Sequence, residues 1–312
     1  MNKLKTKNKN KMKGKGMDDF QLLLLQSPGI IFVFLFCYLP MYGIIIAFKD
    51  FNPNKGIMGS EWAGLKNFEF FFKSQDKFLI IRNTVLYNLW FMFIGLVAAV
   101  AVALMMYNLR KRYLVKTYNT IMILPKFLST VLIAYIVYAL LNPASGVINQ
   151  VLQSMGAEAV DWYSTPSAWP AILTIVYVWQ HCGYSSIIYY AALMGINPEL
   201  FEAATIDGAG KWKQTWHIAI PELVSLMIIK TILAFGHIFG GDFGLFYQTT
   251  RNVPALYPTT DIINTYTFRL LMENNRPAVS AAIGLVQSLV GLFLIIVVNL
   301  IVKKISPEDS LF

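Results

Sequence analysis

The chain has 312 residues, of which 56% are hydrophobic and only 14% charged, with a mean hydropathy of +0.53. Soluble domains are nearer a quarter charged, so this composition excludes an ordinary water-soluble globule. The net charge of +9 could suit a nucleic-acid binder, but seven lysines alternate through positions 3–15 ahead of any apolar segment, a placement that fits anionic lipid and not nucleic acid.

In chain order, residues 1–27 are read as a cytoplasmic polybasic arm followed by a short interfacial helix over 17–27, which is expected to end at Pro28. A signal peptide is the other reading of the arm. The apolar stretch after it is too long for that and lacks a small-residue cleavage site. A bilayer core takes about 20 apolar residues per helix. Six segments qualify, at 28–48, 84–107, 119–141, 169–194, 219–240 and 278–302. They are long and lack period-two alternation, so they are helices and not barrel strands. The expected fold is an all-α, polytopic membrane helix bundle of six transmembrane helices over 28–305, with 306–312 as a cytoplasmic tail.

Cations set the orientation. Arg110, Lys111, Arg112 and Lys116 lie between spans two and three, whereas 142–168 holds no Lys or Arg. The positive-inside rule then puts both termini in the cytoplasm. Trp62, Trp162 and Trp169 fall at the outer interface and Trp212 and Trp216 at the inner one. Pro125 and Pro221 mark kinks or starts in spans three and five, which membranes tolerate because neighbours satisfy the freed carbonyls. The outside segment 49–83 is rich in Phe and Gly, and the loop 242–277 is too long and aromatic for a mere linker. Cys37 and Cys182 lie inside apolar segments, and two cysteines alone build neither a disulfide framework nor a metal cluster. His181, His217 and His237 fall in different segments and are expected to be packed or hydrogen-bonded.

The loop 197–217 between spans four and five is polar and carries its own helix signals. Asn197-Pro198-Glu199 offers an N-cap, a proline at the first position and an acid near the positive helix end. That helix should run over 198–206 and stop at Asp207-Gly208. A second short helix is expected over 210–217, with Trp212 and Trp216 one turn apart on one face. Gly208-Ala209-Gly210-Lys211 is no phosphate loop, because Thr205 stands where Gly is required and Trp212 where Ser or Thr should hold magnesium.

Glu202-Ala203-Ala204, then Gly208, then Ile218 and Pro221 resemble the loop motif of the membrane subunits of bacterial type I ABC importers, with Ile220 in place of Leu. Leu39-Pro40-Met41-Tyr42-Gly43, Gly64-Leu65-Lys66-Asn67-Phe68 and Gly284-Leu285-Val286-Gln287-Ser288 look like phrases of complex-carbohydrate importer permeases. The resemblance implies that Glu202, Ala203, Ala204, Asp207, Gly208, Lys211 and Trp212 dock against a separate ATP-hydrolysing subunit, which would hold ATP and magnesium; no cofactor is expected in this chain. It implies further partners: a second homologous permease, two ATP-binding subunits, an extracellular solute-binding protein and an oligosaccharide substrate.

Polar residues inside spans are costly in lipid and mark candidate substrate paths. They are Asn88 in span two, Tyr177, Gln180 and Tyr184 in span four, Lys230 and His237 in span five, and Gln287 in span six. The alternative for each is packing between helices. The rival functions are an importer of a non-sugar solute, an ion-gradient secondary transporter, which should carry midplane acids, and a membrane scaffold without transport.

Overall fold

A computed structural model describes residues 20–109 and 111–311. The lysine arm lies outside these residues. The expected all-α bundle is observed: among the described residues five helices are long and apolar enough to cross a membrane, and a bent pair brings the number to six when it is counted as one span.

Helix α1 spans Phe20–Phe48. It does not stop at Pro28, so the described part of the interfacial helix expected over 17–27, residues 20–27, is the beginning of span one. Pro28 has no N–H for the Leu24 carbonyl, and the Ser27 hydroxyl donates to that carbonyl instead, at 2.8 Å. Farther on, the helix widens to a π-turn at Phe34–Tyr38 and tightens to 3-10 geometry over Leu39–Phe48. Two short strands, β1 (Lys49–Asp50) and β2 (Glu61–Trp62), pair antiparallel around α2 (Gly56–Gly59). Helix α3 (Lys66–Lys73) follows, with Phe71 buried against Tyr266.

Span two, α4 (Lys77–Tyr107), packs most extensively on span four, α8 (Trp169–Met194). Span three is broken. Helices α5 (Arg112–Phe127) and α6 (Thr130–Leu141) meet at 96°. The break expected at Pro125 falls at Leu128-Ser129 instead, where the Ser129 hydroxyl caps α6 by accepting from the Leu132 amide at 3.2 Å. Gly183 lets α8 approach α5 so closely that a Cβ there would overlap the Met122 carbonyl. Helix α7 (Val147–Ser154) covers the end of α6. Trp169 was expected at the outer interface but is fully buried, its indole N–H donating to Trp162 O at 2.7 Å.

After α8 come α9 (Pro198–Ile206), α10 (Lys211–Gln214), a π-turn at Thr215–Ala219 and α11 (Ile220–Phe235). The region 242–277 folds into α12 (Phe243–Thr249), α13 (Tyr257–Thr260) and α14 (Ile263–Met272). Asp242 caps α12 by accepting from the Leu245 amide at 2.9 Å. This region is pinned to α4. Asn83 Nδ2 donates to Asp261 O at 3.1 Å, and the Ile263 amide donates to the Thr84 hydroxyl at 2.9 Å. Inside it, Arg269 pairs with buried Asp261 at 2.5 Å. Span six, α15 (Pro277–Ile305), crosses α11 where Gly291 faces Gly236; a Cβ on Gly291 would lie 2.5 Å from the Gly236 carbonyl.

The chain then folds back. The Leu311 amide donates to Asn299 Oδ1 at 2.7 Å. Hydrogen bonds from Ser225 and Ser306 hold the Asp309 carboxyl below its ordinary value.

Candidate functional site

The first candidate site is the loop between α8 and α11. Asn197 Oδ1 accepts from the Glu199 amide at 3.1 Å, so the expected cap is made. At the other end of α9 the chain closes a Schellman turn. Ala209 N–H donates to Ala204 O at 2.8 Å and Gly208 N–H to Thr205 O at 3.1 Å, with Gly208 at φ +77°. A left-handed residue there requires glycine or, at some cost, asparagine.

The helix expected over 210–217 is not separate: Lys211–Phe235 is one continuous helical run, and its first turns are those residues. The separate helix of this loop is therefore α9 alone, folded against the base of span five. Gln214 fixes it there. It is buried, and its Nε2 donates to the Thr205 hydroxyl at 2.9 Å and to Ala209 O at 3.0 Å. Lys211 Nζ donates to Gln214 Oε1 at 3.3 Å. On the inner side Phe201 packs on Tyr107, ring centroids 5.6 Å apart. Sequence reading missed Gln214, because its position beside Thr205 depends on the turn at Gly208. Outward, Glu202, Ala203, Asp207, Gly208, Lys211 and Trp212 are exposed, with Ala204 half-buried. Ile206 is 86% exposed, and the Trp212 and Trp216 rings meet edge-on at 5.9 Å. A rigid helix with an uncovered apolar tip beside an acid is suited to filling a cleft on another protein.

The second candidate is a cleft of about 120 Å3 between α4, α8 and α11. Tyr177, Lys230, Gly95, His181 and Tyr189 line it. Tyr177 stacks between Phe91 at 4.2 Å and His181 at 4.6 Å, and Lys230 Nζ sits over the Tyr189 ring at 4.9 Å. His181, expected from the sequence only as a packed or hydrogen-bonded histidine, and Tyr189, which the sequence reading does not name, lie one turn and three turns along the helix from Tyr177.

The remaining path candidates scatter. Gln180 is buried away from the cleft, and its Oε1 has no hydrogen-bond partner among the described residues. Tyr184 is 48% exposed on the outside of α8. His237 is exposed in the turn after α11. Asn88 Nδ2 donates to Thr84 O at 2.7 Å. Gln287 Nε2 donates to Phe239 O at 2.6 Å and Asn264 Oδ1 at 2.9 Å, and Asn264 Nδ2 to Gly241 O at 3.1 Å. Gln287 thus binds span six to the chain that leaves span five.

Residues 79–307 match the model of the binding-protein-dependent transport system inner membrane component. The chain belongs to this family. Among curated proteins it is similar to the polygalacturonan/rhamnogalacturonan transport system permease protein YteP of Bacillus subtilis, 32% identical over 92% of this chain and 89% of that protein. Among solved structures, a bacterial ABC transporter involved in import of the acidic polysaccharide alginate superposes with a TM-score of 0.84 at 29% identity, covering 95% of this chain and 99% of that one. A second structure of a bacterial alginate transporter, in complex with an alginate pentasaccharide-bound periplasmic protein, superposes at 0.83 and 29% identity, over 93% and 96% of the two chains. This chain is thus a multi-pass inner-membrane component of a transport system.

Proposed function

We propose that this chain is the permease subunit of an ATP-driven oligosaccharide importer, and that α9 is the element through which ATP hydrolysis on a separate subunit moves the bundle. The observation that carries the coupling part is the Gln214 lock: α9 is fastened to the base of span five while Ile206 stays uncovered. A partner that closes on ATP and magnesium would push α9 as a lever, and the lever is continuous with Lys211–Phe235. Glu202 would meet a cation on that partner, and Ala203 and Ala204 would permit close approach. With α9 cytoplasmic, both termini are cytoplasmic too, in keeping with the cation distribution.

One six-passage chain is half a translocation bundle. The assembly in this reading has a second, homologous permease, two ATP-binding subunits and an extracellular solute-binding protein. The cargo reading rests on the polysaccharides named for its relatives and on the cleft's stacked Tyr177, since sugar rings pack on aromatic faces. Substituting Ile206→Asp should release the ATPase during co-purification, because a desolvated apolar anchor is worth roughly 2 kcal/mol or more. ATPase retained at full stoichiometry would sink the docking claim. Failure of the reconstituted importer to carry any member of a glycan panel would sink the cargo claim.

A further inference from the structure

A second pocket, of about 250 Å3, opens between α6 and α12 and shares no residue with the Lys230 cleft. It is lined by Tyr135, Tyr138, Tyr247, Gln248, Arg251 and Asn252, together with Val131 and Ala134. Its walls are built to be rigid. Tyr138 is backed edge-on by Tyr163 at 5.7 Å, which is backed in turn by fully buried Trp169 at 5.2 Å. Tyr247 is wedged between Phe243 at 5.0 Å and Phe268 at 4.8 Å. Tyr135, one turn before Tyr138, is 65% exposed.

The cation is placed at a conformational cost. Arg251 and Asn252 both adopt left-handed backbone, φ +55° and +51°, in a tight turn closed by the Val253 amide donating to Thr250 O at 3.2 Å. Turns of this kind favour Asn and Gly, and an arginine in the first position is strained. Strain that survives in a well-packed region tends to mark function. Here it swings the guanidinium over the Tyr138 ring at 4.1 Å. A guanidinium held by its face still offers N–H donors at its edge, in the fork that fits a carboxylate. Asn252 is already committed: its Oδ1 accepts from Tyr257 Oη at 3.0 Å and from Arg269 at 3.4 Å, and its Nδ2 donates to Glu273 at 3.0 Å. No carboxylate lines the pocket among the described residues, and Glu273 stands behind Asn252.

We infer that this pocket is an outer subsite for a uronate unit, a pyranose ring bearing a carboxylate. The sugar face would lie on the tyrosines, its carboxylate on the Arg251 fork and its hydroxyls on Gln248. The volume suits a single ring and not a chain. The inference rests on the oligosaccharide reading and narrows it to acidic sugars.

The test measures binding to the assembled permease–ATPase complex in nanodiscs by saturation-transfer NMR, so that no binding protein filters the ligands. The probes are a galacturonate trisaccharide and the neutral trisaccharide made from it by carboxyl reduction. The native complex should bind the acid more tightly. Arg251→Gln should weaken the acid by about tenfold, the scale of a lost charge-assisted hydrogen bond, and leave the neutral sugar within about twofold. Arg251→Lys should restore part of the loss, because it returns the charge without the fork. Equal weakening of both sugars would reduce Arg251 to a structural role, and an unchanged acid affinity in Arg251→Gln would remove it from recognition. Binding of the neutral sugar alone overturns the uronate assignment and leaves the oligosaccharide reading standing. If neither sugar binds, the subsite assignment falls, and the oligosaccharide reading is decided separately by the glycan uptake panel.

Discussion

The Gln214 amide donates to the Thr205 hydroxyl at 2.9 Å, across the Gly208 turn, and so joins the last turn of α9 to the first turn of span five. The same amide donates to Ala209 O at 3.0 Å. Replacing Gln214 with Leu keeps the volume and removes both bonds, leaving the acceptors short of a donor at a cost of roughly 1–3 kcal/mol. The expected result is a looser lever: ATP is still hydrolysed, but fewer molecules are carried per ATP. Simultaneous uptake and phosphate-release measurements in proteoliposomes check this. An unchanged transport-to-hydrolysis ratio would show that α9 needs no lock.

Gly208 makes a separate demand on the same turn. A Cβ there meets no atom within 4 Å, so the only obstacle to substitution is its φ of +77°. Gly208→Val should therefore cost about 1–2 kcal/mol through backbone strain alone, whereas Gly208→Asn should be tolerated. Uptake should follow that order while the protein's amount in the membrane stays level. Equal uptake by the two variants would separate the turn's conformation from coupling.

Much of this was legible in the sequence because it is local. Helix α9 runs over Pro198–Ile206, as its cap and glycine signals specify, and span four begins and ends at Trp169 and Met194 as its hydropathy requires. What failed was decided by neighbours. Pro28 looked like a stop, but the Ser27 hydroxyl serves the orphaned Leu24 carbonyl. Pro125 looked like the kink, but Ser129 offers a cap four residues later and the chain turns there. Tyr177, Gln180 and Tyr184 are all polar candidates in span four, yet the packing of α4 and α11 leaves only Tyr177 of the three in the cleft. Polar residues in spans do not declare which of them bind and which fasten, and Gln287 proved to be a fastener.

Tyr163 gives a pH dependence with a definite sign. Its hydroxyl donates to Thr249 O at 3.2 Å, and burial pushes the phenol from 10.0 up to about 12. A pKa raised in the folded state means stability fully present below 10 and lost as pH rises from there through about 12. Thermal unfolding in detergent should therefore show a decline over that alkaline range. Tyr163→Phe should flatten the decline while lowering stability modestly at neutral pH, by about 0.5–1.5 kcal/mol for the missing hydrogen bond. An equally steep decline in the variant would assign it to another group.

The contact of α8 with α5 should tolerate no added carbon. A Cβ on Gly183 would overlap the Met122 carbonyl, which belongs to the backbone and cannot rotate away. Gly183→Ala should separate the two helices, with a melting temperature several degrees lower and reduced yield of intact bundle. Gly284→Ala is the control, since nothing lies within 4 Å of a Cβ there and the helix gains from the change. Equal melting temperatures for the two variants would mean that the helices give way easily at Gly183.

Lys230 separates a transport role from a packing role most directly. Its ammonium lies 4.9 Å from the Tyr189 ring centroid and lines the cleft with Tyr177 and His181. If that contact only fastens α11 to α8, Lys230→Met should lower stability by about 0.5–2 kcal/mol, the range of a cation–π contact, and leave uptake kinetics alone. A cleft that carries solute predicts the reverse. Methionine fills the stem's space, so the melting temperature should hold within a few degrees. Uptake kcat/KM should fall by about tenfold, the scale of one lost hydrogen bond from a charged donor. Tyr189→Leu, which removes the ring beneath the ammonium, should shift uptake in the same direction by a smaller amount. Native uptake in Lys230→Met with a lowered melting temperature would return Lys230 to the packing of the bundle.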